Sequence, residues 1–301
     1  MTAAAIGIDV GGTKTALALV EADGSIGRSD RIANRDAGDS DGLLAAIEQR
    51  CRELAADAAP VAIGVALPEV LDRDLELRSH VSVAWTRRQI VDALGPIAPV
   101  SIEADVRAAA LAEARVGAGR GRSPVGYVSV GTGISACLVL DGTPYAGAHG
   151  AAQLLGSAEL PVDCPHCGRS FRSASLEHVA SGPALVARYD EASGREIASG
   201  EELLALAESG DATAGRIVQR GAEMLGGYVA LLVNVVDPEI VVIGGGLGTA
   251  GGAYWPTVIA SAREHVWAEH VVQVPIVPAA LGGREGVVGA GLLAIDAVGG
   301  V

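Results

Sequence analysis

Short apolar runs alternate with amphipathic stretches along most of the chain. The apolar runs are rich in Val, Ile, Ala and Gly, and they predict strands at 6–8, 15–20, 61–66, 100–103, 125–130, 136–140, 240–243 and 273–277. The stretches with helical periodicity predict helices at 42–58, 87–94, 107–116, 185–192, 200–208, 212–236 and 256–265. Continuous apolar strands interleaved with helices are typical of an α/β fold with buried strands.

One pattern occurs twice. Ile6-Gly-Ile-Asp-Val-Gly-Gly-Thr-Lys and Val128-Ser-Val-Gly-Thr-Gly-Ile-Ser-Ala each contain a strand, a glycine turn with a threonine, and a second strand. This similarity predicts a duplicated α/β domain with a cleft between the two halves. We place the first domain at 1–115, completed by a C-terminal helix at 287–301, and the second at 116–286.

Composition and charge narrow the class of protein. Half of the 301 residues are hydrophobic, which is enough for a large core and excludes a disordered chain. Asp and Glu outnumber Lys and Arg by 36 to 22, and the net charge of −14 argues against a nucleic-acid partner. No segment has the roughly 18 unbroken apolar residues of a membrane span, and no signal peptide is apparent. We expect a cytoplasmic protein with no membrane partner.

Glycine-rich turns follow several predicted strands. In Asp9-Val-Gly-Gly-Thr-Lys14 the glycines let the backbone approach a ligand, so that turn amides and the Thr13 hydroxyl can face phosphate oxygens. Asp9 is suited to hold Mg²⁺, directly or through water. A glycine hairpin with an incidental Asp explains one such loop equally well. The second loop, Gly131-Thr132-Gly133, favours the phosphate interpretation, because two matching loops can clamp a nucleotide between them.

Two further segments carry candidate chemistry. Val242-Ile-Gly-Gly-Gly-Leu-Gly248 is suited to form a slot for a base or ribose, although a tight strand-to-helix turn has the same sequence. Asp105 follows a strand and precedes an Ala-rich helix. By spacing alone it is an N-cap, whereas between two phosphate loops it becomes a candidate general base.

The four cysteines do not make a disulfide framework in a chain of this length. Cys164-Pro-His-Cys167 has the spacing of a zinc knuckle, with His166 and His178 as the nearby residues that could complete it. Two reduced thiols in a loop are an equally good interpretation.

A series of motifs along the whole chain resembles the ROK family (repressor, open reading frame, kinase), which includes bacterial glucokinases and related hexose kinases. These motifs are Ile6-Gly-Ile-Asp-Val-Gly-Gly-Thr-Lys, Glu103-x-Asp105, Arg107-Ala-Ala-Ala-Leu-Ala-Glu-Ala, Gly117-Ala-Gly-Arg-Gly, Gly131-Thr-Gly-Ile, Asp141-Gly, Gly147-Ala-His-Gly-Ala-Ala, Leu176-Glu-x-x-Ala-Ser-Gly-Pro, Asp237-Pro-Glu-Ile-Val-Val-Ile-Gly-Gly-Gly and Gly286-Val-Val-Gly-Ala-Gly-Leu-Leu-Ala. The order and number of the matches make the resemblance specific.

The resemblance implies an α/β, two-domain actin/hexokinase-like ATPase fold that closes over ATP and a sugar, and it implies a homodimer. It gives the first domain the sugar and phosphate side, and the second domain ATP binding and dimerisation. It makes Asp105 the catalytic base and Glu103, His149 and Glu177 acceptor-side residues. The implied ATP and Mg²⁺ contacts are Asp9, Gly11, Gly12, Thr13, Lys14, Gly131, Thr132, Gly133, Gly244, Gly245 and Gly246.

The chain departs from the family pattern mainly on the acceptor side. Family members usually have Glu-Asn-Asp-Ala-Asn where this chain has Glu103-Ala-Asp-Val-Arg107, so a sugar-binding Asn is replaced by Ala104. In place of Gly-Glu-Ile-Gly-His the chain has Gln153-Leu-Leu-Gly-Ser157, which removes a hydroxyl-binding Glu and a zinc-binding His. Ser175 stands at a further cysteine position, so we expect no zinc ion. Ser79-His80 replaces a Pro-Asn pair ahead of Trp85.

We therefore predict an ATP-dependent kinase for the 6-hydroxyl of a modified hexose. Losing buried polar partners can shift discrimination between acceptors by factors of about 10⁴ or more. A kanosamine-like amino sugar is the first expectation, which would place the chain in antibiotic biosynthesis, and glucose is also possible. The alternatives are a cyclitol kinase and a sugar-sensing pseudokinase or regulator.

Overall fold

The computed structural model describes residues 4–152, 154–159, 161–163, 167, 170–172 and 174–299. The strands are β1 (Ala4–Val10), β2 (Lys14–Glu21), β3 (Ile26–Ala33), β4 (Ile63–Leu67), β5 (Val100–Ala104), β6 (Val125–Val130), β7 (Ile134–Leu140), β8 (Thr143–Pro144), β9 (Pro161–Asp163), β10 (Ser170–Arg172), β11 (Ile240–Gly244) and β12 (Ile276–Pro278). The helices are α1 (Ser40–Ala58), α2 (Arg87–Leu94), α3 (Asp105–Val116), α4 (Leu176–Ala180), α5 (Gly182–Ser193), α6 (Gly200–Glu208), α7 (Ala212–Val236), α8 (Tyr254–His265) and α9 (Glu285–Gly299).

The chain forms two compact units. Unit 1 comprises residues 1–121, 139–152 and 280–301, and unit 2 comprises residues 122–138 and 153–279. The functions that we assigned to the two halves of the sequence stay predictions. Among the described residues, none of the helices combines the length and the apolar character needed to cross a membrane.

Unit 1 is built on a mixed five-stranded sheet of order β3-β2-β1-β4-β5. β1 pairs antiparallel with β2 and parallel with β4, and β4 pairs parallel with β5. β4 is buried at every residue, as its continuous apolar sequence predicts. The edge strand β3 was not predicted, because residues 28–31 are polar and do not show the apolar pattern of a strand. β3 is recognised as a strand by its antiparallel pairing with β2.

The C-terminal helix α9 lies directly on this sheet. Two strand glycines permit the close approach. A Cβ atom on Gly64 would collide with the carbonyl oxygen of Ala290, and one on Gly7 with that of Val287. The helix begins at Glu285, two residues before the predicted start. This packing fixes the first turn of α9 relative to the end of β1.

Unit 2 contains the strands β12-β11-β6-β7 in that order, with β11 parallel to both β12 and β6. β7 continues into unit 1, where its residues Val139 and Leu140 pair with β8. The long helix α7 starts at the N-cap Asp211, which accepts hydrogen bonds from the backbone of Thr213 and Ala214. Its apolar face supplies much of the unit 2 core.

Candidate active site

The turn between β1 and β2 contains the first predicted phosphate loop. The Gly11 N–H donates to the Lys14 carbonyl at 3.0 Å, and the Asn34 N–H donates to the Thr13 carbonyl at 3.0 Å. The Asn34 side chain also donates to the Gly11 carbonyl at 2.7 Å. These bonds hold the turn while Gly12, Thr13 and Lys14 stay exposed. The loop is thus a fixed and open anion-binding candidate.

Asp105 is the first residue of α3, at the end of β5. The N-cap position belongs to Ala104, which supplies no side-chain cap, so the N-cap interpretation of Asp105 is wrong. Its Oδ1 instead accepts the adjacent Val106 N–H at 2.6 Å. The strand-to-helix junction therefore supports the carboxylate without using it to terminate the helix.

Asp105 and Asp9 belong to one cluster of acidic groups in unit 1. Burial raises the pKa of Asp105 to about 7, and the charges of Asp9 and Glu69 add to the effect. Burial also raises the pKa of Asp9 to about 6, with a further contribution from Glu285, while Lys14 opposes the shift. A carboxylate whose pKa lies near neutrality is suited to proton transfer.

Glu103 is joined to a buried arginine on the same side of unit 1. The Arg107 side chain donates to Glu103 Oε1 at 2.6 Å and to the Gly150 carbonyl at 2.9 Å. Glu103 Oε1 also accepts the Ala104 N–H. Arg107 thereby anchors the loop that carries the exposed His149. The two predicted acceptor-side residues of this unit are connected through a residue that we had not assigned to the site.

Glu69, in the segment after β4, organises the loop that precedes α2. Its carboxylate accepts the Ser79 hydroxyl and the backbone N–H groups of Val81, Ser82 and Val83. Burial raises its pKa, but these donors outweigh burial and leave the pKa below its ordinary value. The loop contains the Ser79-His80 departure from the family pattern.

The second predicted phosphate loop lies in unit 2. The Gly131 N–H donates to the Gly133 carbonyl at 2.9 Å, and the Gly182 N–H donates to the Gly131 carbonyl at 2.9 Å. Glu177, on α4, accepts the Ile134 N–H at 2.9 Å through Oε2. The predicted acceptor-side carboxylate of unit 2 therefore supports the loop, which the sequence did not indicate.

The predicted adenosine turn, Gly244–Gly246, lies against the same loop. Gly245 has a φ of 80°, and a Cβ atom there would lie 2.4 Å from the Val130 carbonyl oxygen, so only glycine fits. The Leu247 N–H donates to the same carbonyl oxygen at 3.0 Å. Unit 2 thus brings its two glycine segments together at the end of β6.

The candidate zinc residues lie partly outside the described residues. Cys164 and His166 lie outside the described residues, Cys167 is exposed, and His178 is hydrogen-bonded to Ser175. Within the described part of the chain, no group of three or more His, Cys, Asp or Glu side chains is placed to hold a metal ion. The absence of zinc stays a prediction.

Three site residues were missed by sequence reasoning. Arg107 was noted only as part of the segments compared with the family, while Glu69 and Glu285 were not noted at all. An acid in a helix's first turn, as at Glu285, is too common to signal a site. Their roles depend on which elements the fold packs together.

Comparison with known proteins decides the family. The ROK family profile matches residues 5–297. The chain belongs to the ROK family. A glucokinase from Thermotoga maritima is 27% identical over 312 residues, 98% of each chain. An N-acetylmannosamine kinase from Vibrio cholerae is 30% identical and covers 82% of this chain and 85% of its own length.

A solved ROK structure confirms the predicted fold. The ROK family glucokinase from Streptomyces griseus, in complex with glucose and AMPPNP, has a TM-score of 0.81 and 26% identity, with 97% of this chain and 99% of that chain covered. ROK hexokinases have the actin-like ATPase fold. The ROK relatives are sugar kinases, and this structural neighbour binds a sugar and an ATP analogue.

Proposed function

We propose that this ROK protein transfers the γ-phosphate of ATP to the primary (6-) hydroxyl of a modified hexose. The observation that carries the proposal is Asp105. It stands at the β5–α3 junction, in one cluster with the phosphate-loop residue Asp9, and burial raises its pKa to about 7. Membership of a family of sugar kinases supports the same reaction.

Asp105 acts as the general base. Its carboxylate accepts the proton of the acceptor hydroxyl as that oxygen forms a bond to the γ-phosphorus. The bond between the γ-phosphorus and the bridging oxygen breaks, and ADP leaves with that electron pair. The proton on Asp105 then passes to solvent. The other residues position the reactants and stabilise charge.

The glycine segments bind the nucleotide. Gly12 and Thr13 in unit 1 supply backbone amides for phosphate oxygens, and Thr132 and Gly133 do the same in unit 2, while the Gly11 and Gly131 amides hold the two turns. Gly244–Gly246 provides room for the adenosine. Lys14 adds a positive charge. Asp9 is the residue that would hold Mg²⁺. The neighbouring Glu285 has a buried carboxylate oxygen with no hydrogen-bond partner among the described residues, and this fits a cation. When bound, Mg²⁺ neutralises phosphate charge.

Acceptor recognition differs from the usual family pattern. Ala104 stands at a sugar-binding Asn position, and Arg107, where the family has Asn, occupies Glu103 Oε1 and the Gly150 carbonyl. Leu154, at a family Glu position, is half-exposed and offers no hydrogen bond. We infer an acceptor that lacks or replaces a glucose hydroxyl. An amino sugar of the kanosamine type is the first candidate, and a cyclitol is the second.

The test combines nucleotide binding with an acceptor screen. Thermal shift with Mg-ATP measures binding, and coupled ADP release measures turnover with glucose, amino-hexoses, N-acetylmannosamine and cyclitols. Acceptor-dependent ADP release supports the proposal, and NMR of the product identifies the phosphorylated carbon. Nucleotide binding without turnover on any acceptor would instead support a sugar-sensing pseudokinase.

A further inference from the structure

A buried carboxylate oxygen in unit 1 has no hydrogen-bond partner in the described part of the chain. Glu285 is 6% exposed. Among the residues that the structure describes, its Oε2 and the Tyr254 hydroxyl are the buried side-chain polar atoms without a hydrogen bond. Burying a side-chain oxygen that accepts no hydrogen bond is unfavourable, because its hydration is lost without replacement. A group of this kind calls for a bound ligand.

The position of Glu285 indicates where that ligand binds. Glu285 is the first residue of α9, and a Cβ atom on the next residue, Gly286, would lie 2.5 Å from Asp9 Cγ. The Asp9 carboxylate therefore rests against the first turn of α9. Because Gly7 and Gly64 have no side chains, α9 packs closely on the sheet. Asp9 and Glu285 are therefore positioned by a strand and a helix rather than by a loop.

The two residues offer carboxylate oxygens at the same place in unit 1. Carboxylate oxygens are the ligands that Mg²⁺ and Mn²⁺ prefer. A bound dication would satisfy the Glu285 Oε2, which has no hydrogen-bond partner among the described residues. Arg107, two residues after Asp105, is paired with Glu103.

We propose that Asp9 and Glu285 form a divalent-cation site in which Glu285 is a second carboxylate ligand for the metal bound with the nucleotide. Mg²⁺ is usually held by one or two carboxylates, with phosphate and water at its other positions, and a pair of acids fits this preference. The link to the nucleotide rests on the proposed kinase function. The carboxylate pair itself does not.

Metal binding is tested with Mn²⁺ as a paramagnetic substitute for Mg²⁺. Electron paramagnetic resonance titration of the full chain without nucleotide or acceptor measures Mn²⁺ affinity independently of turnover. We expect Glu285→Gln to weaken binding on the order of tenfold or more, since even indirect partners of a metal ligand have effects of that size. Glu285→Asp should retain part of the affinity. Asp296→Asn, at an exposed ion pair on the same helix, is the matched control.

A second measurement guards against misfolding. Glu285→Gln changes a buried side chain whose Oε2 has no hydrogen-bond partner among the described residues, so the metal-free variant should melt at the same temperature as wild type or higher. Mn²⁺ should stabilise the wild type more than the variant. Equal Mn²⁺ affinity in wild type and Glu285→Gln, or no Mn²⁺ binding by wild type, overturns the proposal. The proposal is also overturned if Glu285→Gln binds Mn²⁺ as wild type does but prefers cationic acceptors less or more than wild type. That result would indicate that Glu285 binds the ammonium group of an acceptor. An absence of kinase activity in a wild-type protein that binds Mn²⁺ would contradict the proposed function and not the metal site.

Discussion

The two glycine–threonine loops have similar sequences, but the acidic residues beside them are used differently. In unit 2, Glu177 accepts the Ile134 N–H and so helps to hold the Gly131–Gly133 loop in place. In unit 1, Asp9 lies beside the buried Glu285, and its pKa is raised to about 6. The comparison indicates that Glu177 stabilises its loop through a hydrogen bond, whereas the Glu285 oxygen that has no partner among the described residues is available for a cation.

The two loops also share a contact between a glycine and a carboxylate. A Cβ atom on Gly133 would lie 2.7 Å from Glu177 Oε2, and one on Gly286 would lie 2.5 Å from Asp9 Cγ. The Glu177 side chain is longer and can move away. Asp9 is short, lies in β1 and rests against the first turn of α9. We therefore expect an added methyl group to be tolerated better at Gly133 than at Gly286.

The largest expected effect comes from the acid cluster of unit 1. Asp105→Asn should lower turnover by a factor of about 10² or more, the usual contribution of a general base, and leave ATP affinity nearly unchanged. Steady-state kinetics and nucleotide titration measure the two quantities. Glu177→Gln is the matched amide substitution in unit 2 and should lose far less turnover, because it keeps an oxygen for the Ile134 N–H. Near-normal turnover of Asp105→Asn would remove the assignment of the base.

Adding one methyl group to each glycine tests the constraint directly. Gly286→Ala should destabilise the protein by about 1–3 kcal/mol, the usual cost of overpacking, and should raise the KM for metal-bound ATP. Gly133→Ala should have a smaller effect on both. Urea unfolding and kinetics provide the measurements, and equal losses in the two variants would show that the surroundings of Asp9 and Glu177 are equally adaptable.

Removing the support of the unit 2 loop should have a moderate effect. Glu177→Ala leaves the Ile134 N–H without its acceptor, which costs about 1–3 kcal/mol when such a group is buried. We expect lower stability in urea unfolding and weaker nucleotide binding. Glu177→Gln should recover most of both. If Glu177→Ala unfolds like wild type, the Ile134 hydrogen bond contributes little.

The acid cluster of unit 1 also predicts a pH dependence of stability. The pKa of Asp105 is raised from 3.8 to about 7, so between these values the folded protein holds a proton that the unfolded chain has released. The free energy of unfolding therefore falls as pH rises through this window. Asp105→Asn lacks this contribution and should gain stability relative to wild type from about pH 4 to about pH 8. Parallel stability curves would show that the Asp105 pKa is not raised.

The sequence by itself determined the framework of the protein. Apolar periodicity predicted the buried strands and the amphipathic helices, because burial of apolar side chains imposes a pattern that survives without tertiary information. The ordered glycine motifs were sufficient for the family, since a glycine required at a tight turn cannot be exchanged freely. The edge strand β3 escaped because its exposed polar residues carry no burial pattern.

The tertiary structure decided how each acidic residue is used. Nothing in the local sequence distinguishes Glu69, whose charge is met by surrounding donors, from Glu285, whose buried oxygen has no partner among the described residues. Asp105 had the spacing of an N-cap, and only the junction of β5 with α3 showed that Ala104 holds that position. Solvation and charge pairing depend on neighbours that are distant in sequence, so the chemistry of a carboxylate becomes visible only once the chain has folded.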